Sequence, residues 1–340
     1  MSSAVPQTTL SEAELCPPEL LEGQEAAFAR DVARLIARRD QFVHVPCPAC
    51  GRRDAEPAIA KWGFTWVACA GCETRYMTPR PSETVMAGYY ANSENYAYWA
   101  EHIFPASEAT RREKVNRPWL ERIIGYCDSF GVPRGTLVEV GPGFGTFAAL
   151  ATASGAFERV VGVEPTPQMA AACRERGVDV VEARIEEAAH LLPPADVLVA
   201  FEVIEHLFDP TRFIGDCTRI VRPGGLLVLS CPNSAGFDIA TLGAESLAVD
   251  PEHVNLFTPG SLAGLLERNG FSVVSATTPG KLDAEFVREA ALAGRVDLDG
   301  QPLLRRVLLE EWEALGGPFQ RFLAQNGLSS HMWIAARRNV

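Results

Sequence analysis

The run Val138-Glu139-Val140-Gly141-Pro142-Gly143-Phe144-Gly145, followed by Glu164 at the end of a second apolar run, constrains the fold of this chain most. It reads as a strand, a glycine turn, a helix start, and then a second strand tipped with a carboxylate. Such an arrangement binds the adenosine half of a cofactor across the carboxyl ends of a parallel sheet. The glycine spacing narrows the cofactor. A dinucleotide fingerprint is G-x-G-x-x-G, whereas here glycines stand at 141, 143 and 145 and Thr146 occupies the last position. Pro142 removes one backbone N–H from the loop, which weakens it as a pyrophosphate cradle. Glu139, just before the loop, suits a ligand carrying an ammonium group rather than phosphates.

Three further segments follow in order. Ala195 to Phe201 is an apolar run that turns polar as Glu202-Val203-Ile204-Glu205-His206-Leu207. Arg222-Pro223-Gly224-Gly225 is a turn, and Leu226 to Ser230 is a fifth apolar run ending at Cys231-Pro232-Asn233. With the glycine loop and Glu164, these segments resemble the motifs of the class I S-adenosylmethionine-dependent methyltransferases over about residues 133 to 280. The resemblance implies an α/β fold: a Rossmann-like seven-stranded sheet whose last strand is antiparallel. Strands are expected near 136–140, 159–164, 178–182, 196–201, 225–231 and 271–277, with His331 to Ala336 as the seventh.

The resemblance also implies a set of site residues. Gly141, Gly143 and Gly145 admit the methionine end of S-adenosyl-L-methionine without a Cβ in the way. Glu164 accepts the two ribose hydroxyls, an acceptor-only group facing two donors. Arg184 and Ile185 border the adenine, Glu202 lies below the sulfonium, and Tyr96, with Tyr89 and Tyr90, covers the cofactor with ring faces that suit a cation. Where the acceptor must lose a proton, an imidazole is the usual base at neutral pH. His206, directly after the fourth strand, and His253, in Asp250-Pro251-Glu252-His253, are the candidates, with Glu205 beside the first.

Nine cysteines are present, four of them in Cys47-Pro48-Ala49-Cys50 and Cys69-Ala70-Gly71-Cys72. This C-x2-C-x18-C-x2-C spacing reads as a structural, tetrahedral Zn2+ site in a small ribbon, with Gly51 and Gly71 easing its two turns. Trp62, Phe64, Trp66 and Val67 between the pairs read as short strands. The chain divides into an arm and amphipathic helix (1–41), the ribbon (42–82), an aromatic helical lid (83–132) and the methyltransferase domain (133–340). Its helical insert, 281–330, either walls the substrate pocket or makes a dimer. Residues 1 to about 20 read as loose, and the amphipathic helix as beginning near Glu25.

Composition trims the function. A net charge of -12 with scattered basic pairs leaves no track for nucleic-acid phosphates. No apolar run approaches the roughly 18 residues of a membrane span. The amino terminus shows no secretory signal, which points to a cytoplasmic protein, monomeric or homodimeric. The expected activity is methyl transfer to a small-molecule acceptor. Sugar C-methyltransferases of natural-product pathways look similar in pairing a cysteine-rich zinc module with this domain. This chain has a helical insert plus one strand where those carry a further domain, so its acceptor class extends to polyketide, peptide, isoprenoid or cell-envelope metabolites. The alternative is an RNA base methyltransferase with a zinc-ribbon substrate module.

Overall fold

A computed structural model describes residues 10–340. Its largest sheet has seven strands: β1 (Thr136–Val140), β2 (Arg159–Val163), β3 (Asp179–Val181), β4 (Ala195–Phe201), β5 (Val221–Pro232), β6 (Phe271–Thr277) and β7 (His331–Arg338). Their order across the sheet is β6-β7-β5-β4-β1-β2-β3. Strands β1 to β5 pair in parallel, while β7 runs antiparallel to both β5 and β6. All seven residues of β4 are buried, and so is β5 from Gly225 on, as expected where helices cover both faces of a parallel sheet. The strand order reverses between β1 and β4, and a crevice opens there beyond their carboxyl ends.

Helices are set by local chemistry at their starts. Asp209 caps Pro210–Ile220 by accepting the Arg212 N–H, and that helix turns Phe213, Ile214, Cys217 and Ile220 into the core. Thr258 and Ser261 form a reciprocal capping box on Pro259–Arg268.

Two expectations about the amino-terminal part are corrected. The stretch read as loose holds a short helix, Glu12–Leu15, and the start of Pro18–Ile36; the first nine residues of that arm lie outside the described residues. Pro18 opens the longer helix because its missing N–H is one the first turn leaves unpaired anyway. Ile36, expected on the apolar stripe, is 38 % exposed, while Val32 and Leu35 face inward.

The ribbon is a sheet of Ala55–Lys61, Phe64–Cys69 and Arg75–Met77, and its fourth strand is Asn255–Leu256 from far along the chain. Phe42–Val43 pairs separately with Arg80–Pro81. In the first cysteine turn Gly51 takes the left-handed conformation, as its role requires. In the second it is Glu73, not Gly71, that does so, at φ 62°. The insert forms Asp283–Leu292, Pro302–Arg305 and Trp312–Gln325 between β6 and β7. Among the described residues no helix is long and apolar enough to cross a membrane.

Candidate active site and metal centre

The crevice is part of a cavity of about 3060 Å³ lined from the sheet, the amino-terminal helices and the insert. Gly141, Gly143 and Gly145 run from β1 into helix Thr146–Ser154, with φ of 70°, 54° and 77°. A side chain at Gly141 would stand 2.8 Å from Val203 Cγ2, and one at Gly145 2.8 Å from Cys173 Sγ. Glu164, at the end of β2, accepts the N–H of Gly143 at 3.3 Å and of Thr166 at 2.8 Å. Its burial raises its pKa, and those N–H groups partly offset that. Each carboxylate oxygen keeps lone pairs for further donors.

Glu139 is more unusual. Its side chain is 4 % exposed, one carboxylate oxygen has no hydrogen-bond partner, and burial lifts its pKa to about 8. A desolvated carboxyl with an orphaned oxygen beside a glycine loop fits a cationic ligand group. Arg184 and Ile185 begin helix Ile185–Ala188 and both line the cavity. A lid closes over the loop. Phe104 lies on Phe144 with centroids 4.3 Å apart, and the Arg111 guanidinium stacks on Trp99 and Phe104.

The other end of the cavity holds a knot of titratable groups. Glu202, the first residue beyond β4, is held at φ 52°, a strained backbone for a residue with a Cβ. Ser230 Oγ donates to its Oε1 at 2.6 Å, and His331 Nε2 lies 3.0 Å from the same oxygen. Burial works against the Glu202 carboxylate, but the imidazole charge outweighs it and holds the pKa low. His331 is raised in turn, against its own burial. Val203 leads into the tight turn Ile204–His206.

His206 and His253 face each other with ring centroids 4.7 Å apart. His206 Nδ1 lies 3.2 Å from the Glu252 carbonyl, and His253 Nδ1 lies 2.9 Å from the Ala248 carbonyl. A carbonyl only accepts, so both Nδ1 atoms carry the proton and both Nε2 atoms are left as bases. Burial pushes His206 down to about 3, helped by the charge of His253. Burial also opposes the charged form of His253, yet Asp250, 3.3 Å away, outweighs it and raises the pKa. Glu252 accepts Tyr89 Oη at 2.6 Å and Tyr96 Oη at 2.9 Å. Burial and Asp250 raise Glu252 to about 7, against the pull of the two tyrosines.

Glu205 points away from the cavity. It is fully buried, both its oxygens lack partners, and burial and Glu202 push its pKa well up. Donor atoms of Glu205, His206 and His253 lie within 4.8 Å of one another, a set that a divalent cation could also share.

Comparisons with known proteins bear on this geometry. A family described as "Methyltransferase domain" matches residues 109–276. A probable S-adenosylmethionine-dependent methyltransferase of Mycolicibacterium smegmatis is 35% identical over 119 residues, covering 34% of this chain and 44% of that protein. A ubiquinone biosynthesis O-methyltransferase of Bradyrhizobium is 34% identical over 116 residues, covering 32% and 45%. Residues 109–276 are therefore a methyltransferase domain, similar to those of S-adenosylmethionine-dependent methyltransferases. The chain spans half or less of the length of the curated relatives it matches. A crystal structure of an S-adenosylmethionine-dependent methyltransferase from Archaeoglobus fulgidus covers 70% of this chain and 100% of its own, at 20% identity and a TM-score of 0.45.

Ahead of the methyltransferase sheet, Cys47, Cys50, Cys69 and Cys72 converge with their sulfurs within 4.8 Å of one another. The Cys47–Cys72 and Cys50–Cys69 pairs stand 3.5 Å apart, and all nine cysteines are free of disulfides. Four ligands about 2.3 Å from a central zinc stand about 3.8 Å from each other, so this thiol set fits a tetrahedral Zn2+. With four protein ligands such a centre is closed and structural.

The structure gathers Gly141, Gly143, Glu164, Arg184, Ile185, Glu202, Tyr96, His206 and His253 around one cavity, whereas Glu139, Gly145 and Glu205 do not line it. Sequence reasoning passed over His331, Glu252 and Arg80. His331 follows an insert whose path no local pattern reveals. Glu252 sat inside a quoted motif, but its two tyrosine donors come from more than 150 residues away.

Proposed function

We propose that this methyltransferase acts on a small-molecule acceptor and that His253 takes the acceptor's proton. The observation that carries the reading is one cavity lined both by the glycine loop with Glu164 and by two imidazoles whose Nε2 atoms have no partner among the described residues. S-adenosyl-L-methionine, bound over the glycine loop, supplies an electrophilic methyl on a sulfonium. Glu139 receives its ammonium, Glu164 its ribose hydroxyls, and Arg184 and Ile185 border its adenine.

The chain's remaining task is to align an acceptor, exclude water and move one proton. His253 suits the last role. Its Nδ1 proton is anchored by the Ala248 carbonyl and Asp250, and its raised pKa makes Nε2 the stronger base. His206, kept neutral by burial, can accept a hydrogen bond from the acceptor and orient it. Glu205, buried and without a hydrogen-bond partner among the described residues, lies within the turn that carries His206. The zinc centre takes no part in the chemistry on this reading.

A small acceptor agrees with the walls of the cavity. Glu202, Glu245, Asp250, Glu252, Glu285 and Glu289 line it, a field that repels a phosphate backbone. The insert contributes Phe286 and Leu282 to the same wall, giving an acceptor apolar surface to lie on. The test is cofactor carrying a labelled methyl, incubated with the protein and fractionated extract of the native host. Label in a small-molecule fraction supports the reading and hands over the acceptor by mass. Label in RNA instead would replace it with the nucleic-acid alternative.

A further inference from the structure

We propose that the zinc ribbon is a working part of the acceptor site, and that Trp66 and Arg80 are positioning residues that set where His253 and His206 stand. The inference rests on the reading of those histidines given above. The segment that carries Glu252 and His253 continues directly into the fourth strand of the ribbon sheet. Asn255 pairs with Tyr76 and Leu256 with Arg75, antiparallel, and Met77 N–H donates to the Val254 carbonyl at 2.9 Å. The loop is therefore not held by the methyltransferase sheet alone. Its backbone register is written by strand Arg75–Met77, whose neighbours carry the cysteines.

Two ribbon side chains refine that register. Trp66 is fully buried in Phe64–Cys69, and its Nε1–H donates to the carbonyl of His253 itself at 2.9 Å. An indole has one donor and nothing else to satisfy, so a buried tryptophan aimed at one carbonyl fixes that peptide in space. Arg80 is fully buried as well and has no carboxylate within ion-pair reach among the described residues. Its guanidinium donates instead to three carbonyls: Met77 at 3.1 Å, Phe208 at 3.3 Å and Val254 at 3.4 Å. Phe208 ends the turn that carries His206, and Val254 follows His253. One cation thus ties together the two loops that hold the two imidazoles.

The opposite charges of Cys47 and Asp209 act on the guanidinium only from beyond ion-pair distance, so its burial is still costly, and an apolar residue would fill the space without that cost. Its retention makes sense if the fork geometry itself is needed. Asn255 completes the link: its Nδ2 donates to the carbonyls of Ile204, Glu205 and Leu207 at 3.2, 3.4 and 2.7 Å. Cys69 ends the strand next to Arg75–Met77, and Cys47, Ala49, Val67, Cys69 and Tyr76 share a hydrophobic cluster with the sheet core. A metal-ordered ribbon would then transmit its order straight to His253.

The experiment is backbone hydrogen exchange on the full-length, zinc-loaded protein, read alongside cofactor affinity and steady-state kinetics. Trp66→Phe keeps an aromatic ring in place and removes the donor, together with part of the indole's volume. One neutral hydrogen bond is worth about 1 kcal/mol, so opening of peptides 248–257 should rise by about fivefold. Exchange over β1, β2 and β4 and the Kd for cofactor should stay within about twofold. Turnover should fall by a similar factor of about five to ten, with the acceptor KM little changed. Arg80→Met should speed exchange in both 202–208 and 248–257, and Arg80→Lys should restore part of it. Stripping zinc should raise exchange at 248–257 before the methyltransferase sheet.

Unchanged exchange in both loops would overturn the proposal, and so would a uniform rise across the whole sheet, which would make the ribbon plain scaffold. Should Arg80→Met fail to fold, the Trp66→Phe and zinc-stripped proteins still decide. Exchange needs no acceptor, so a failure to find methyl transfer would strike the functional reading and leave this result standing.

Discussion

Glu139 gives the sharpest quantitative handle on the cofactor site. In the free protein burial holds its pKa near 8, so at pH 7 about nine molecules in ten carry the neutral acid. A ligand ammonium needs the anion. Affinity for S-adenosyl-L-methionine should therefore rise about tenfold per unit between pH 5.5 and 7.5, and level off near pH 8. The ligand's own α-amino group, with a pKa of about 7.7–8.0, turns the profile down above that, so the optimum falls near pH 8. Calorimetry at pH 7 in buffers of different ionisation enthalpy should show a net release of about 0.8 proton, about 0.9 from Glu139 less about 0.1 taken up by the amine. Glu139→Gln should abolish the release, flatten the acid limb and bind about as tightly at pH 6 as at pH 7. Stability offers a second reading of the same group. Its folded pKa lies above its unfolded one, so its contribution is complete below about pH 4.5 and is lost as pH rises through about 8. Without cofactor, Glu139→Gln should melt above the native protein at pH 9, and the gap should close by pH 4.5. A flat native affinity profile with no proton release would refute the assignment of Glu139 to the ammonium.

Further predictions concern the opposite end of the cavity and the metal. His253→Gln should lower turnover by about 10²–10⁴ while leaving cofactor affinity intact, as measured by rate and calorimetry with the identified acceptor. In the native enzyme, activity should climb as pH rises through a pKa above 6.5, because the base must first lose its proton. His206→Gln should also cut turnover without touching cofactor affinity; unchanged turnover would remove His206 from the site. Cys69→Ser should lower the zinc content below the one ion per chain expected by mass spectrometry, and should lower the melting temperature of the ribbon. Tyr89→Phe removes one of two donors to the buried Glu252 carboxylate and should cost about 1.5–3 kcal/mol in chemical denaturation.

Motifs whose chemistry is local were open to reading. The glycine turn, the apolar strands of the sheet and the cysteine pairs each announce themselves within a few residues, since turns, burial and metal ligation impose residue types at fixed short spacing. Val197 to Phe201 reads as a strand because both faces are covered, and the structure leaves no residue of β4 exposed. Glycine roles were less legible. Gly71 was expected to supply the second cysteine turn, yet Glu73 takes the positive φ there. A carboxylate residue can tolerate that conformation when the turn is pinned on both sides, and the bond from Glu73 N–H to the Cys69 carbonyl helps pin it.

What stayed hidden depends on long-range pairing. Val254-Asn255-Leu256 is too short for any periodicity to mark it as a strand, and its partner lies about 180 residues earlier. Arg80 looked like the close of the ribbon, between two prolines. Nothing within ten residues of it says that its guanidinium will be buried against carbonyls of the loops that follow β4 and β5. That gap has a physical cause and a consequence. Local sequence encodes the elements, whereas the acceptor site is built from the points where three elements meet: ribbon, post-β4 turn and post-β5 loop. In such an arrangement the zinc-binding module and the histidines cannot vary independently, because a shift of one strand position at Arg75–Met77 would turn His253 to the other face of its loop. On the proposed reading the ribbon and the acceptor chemistry form one mechanical unit, even though about 180 residues separate Cys72 from His253.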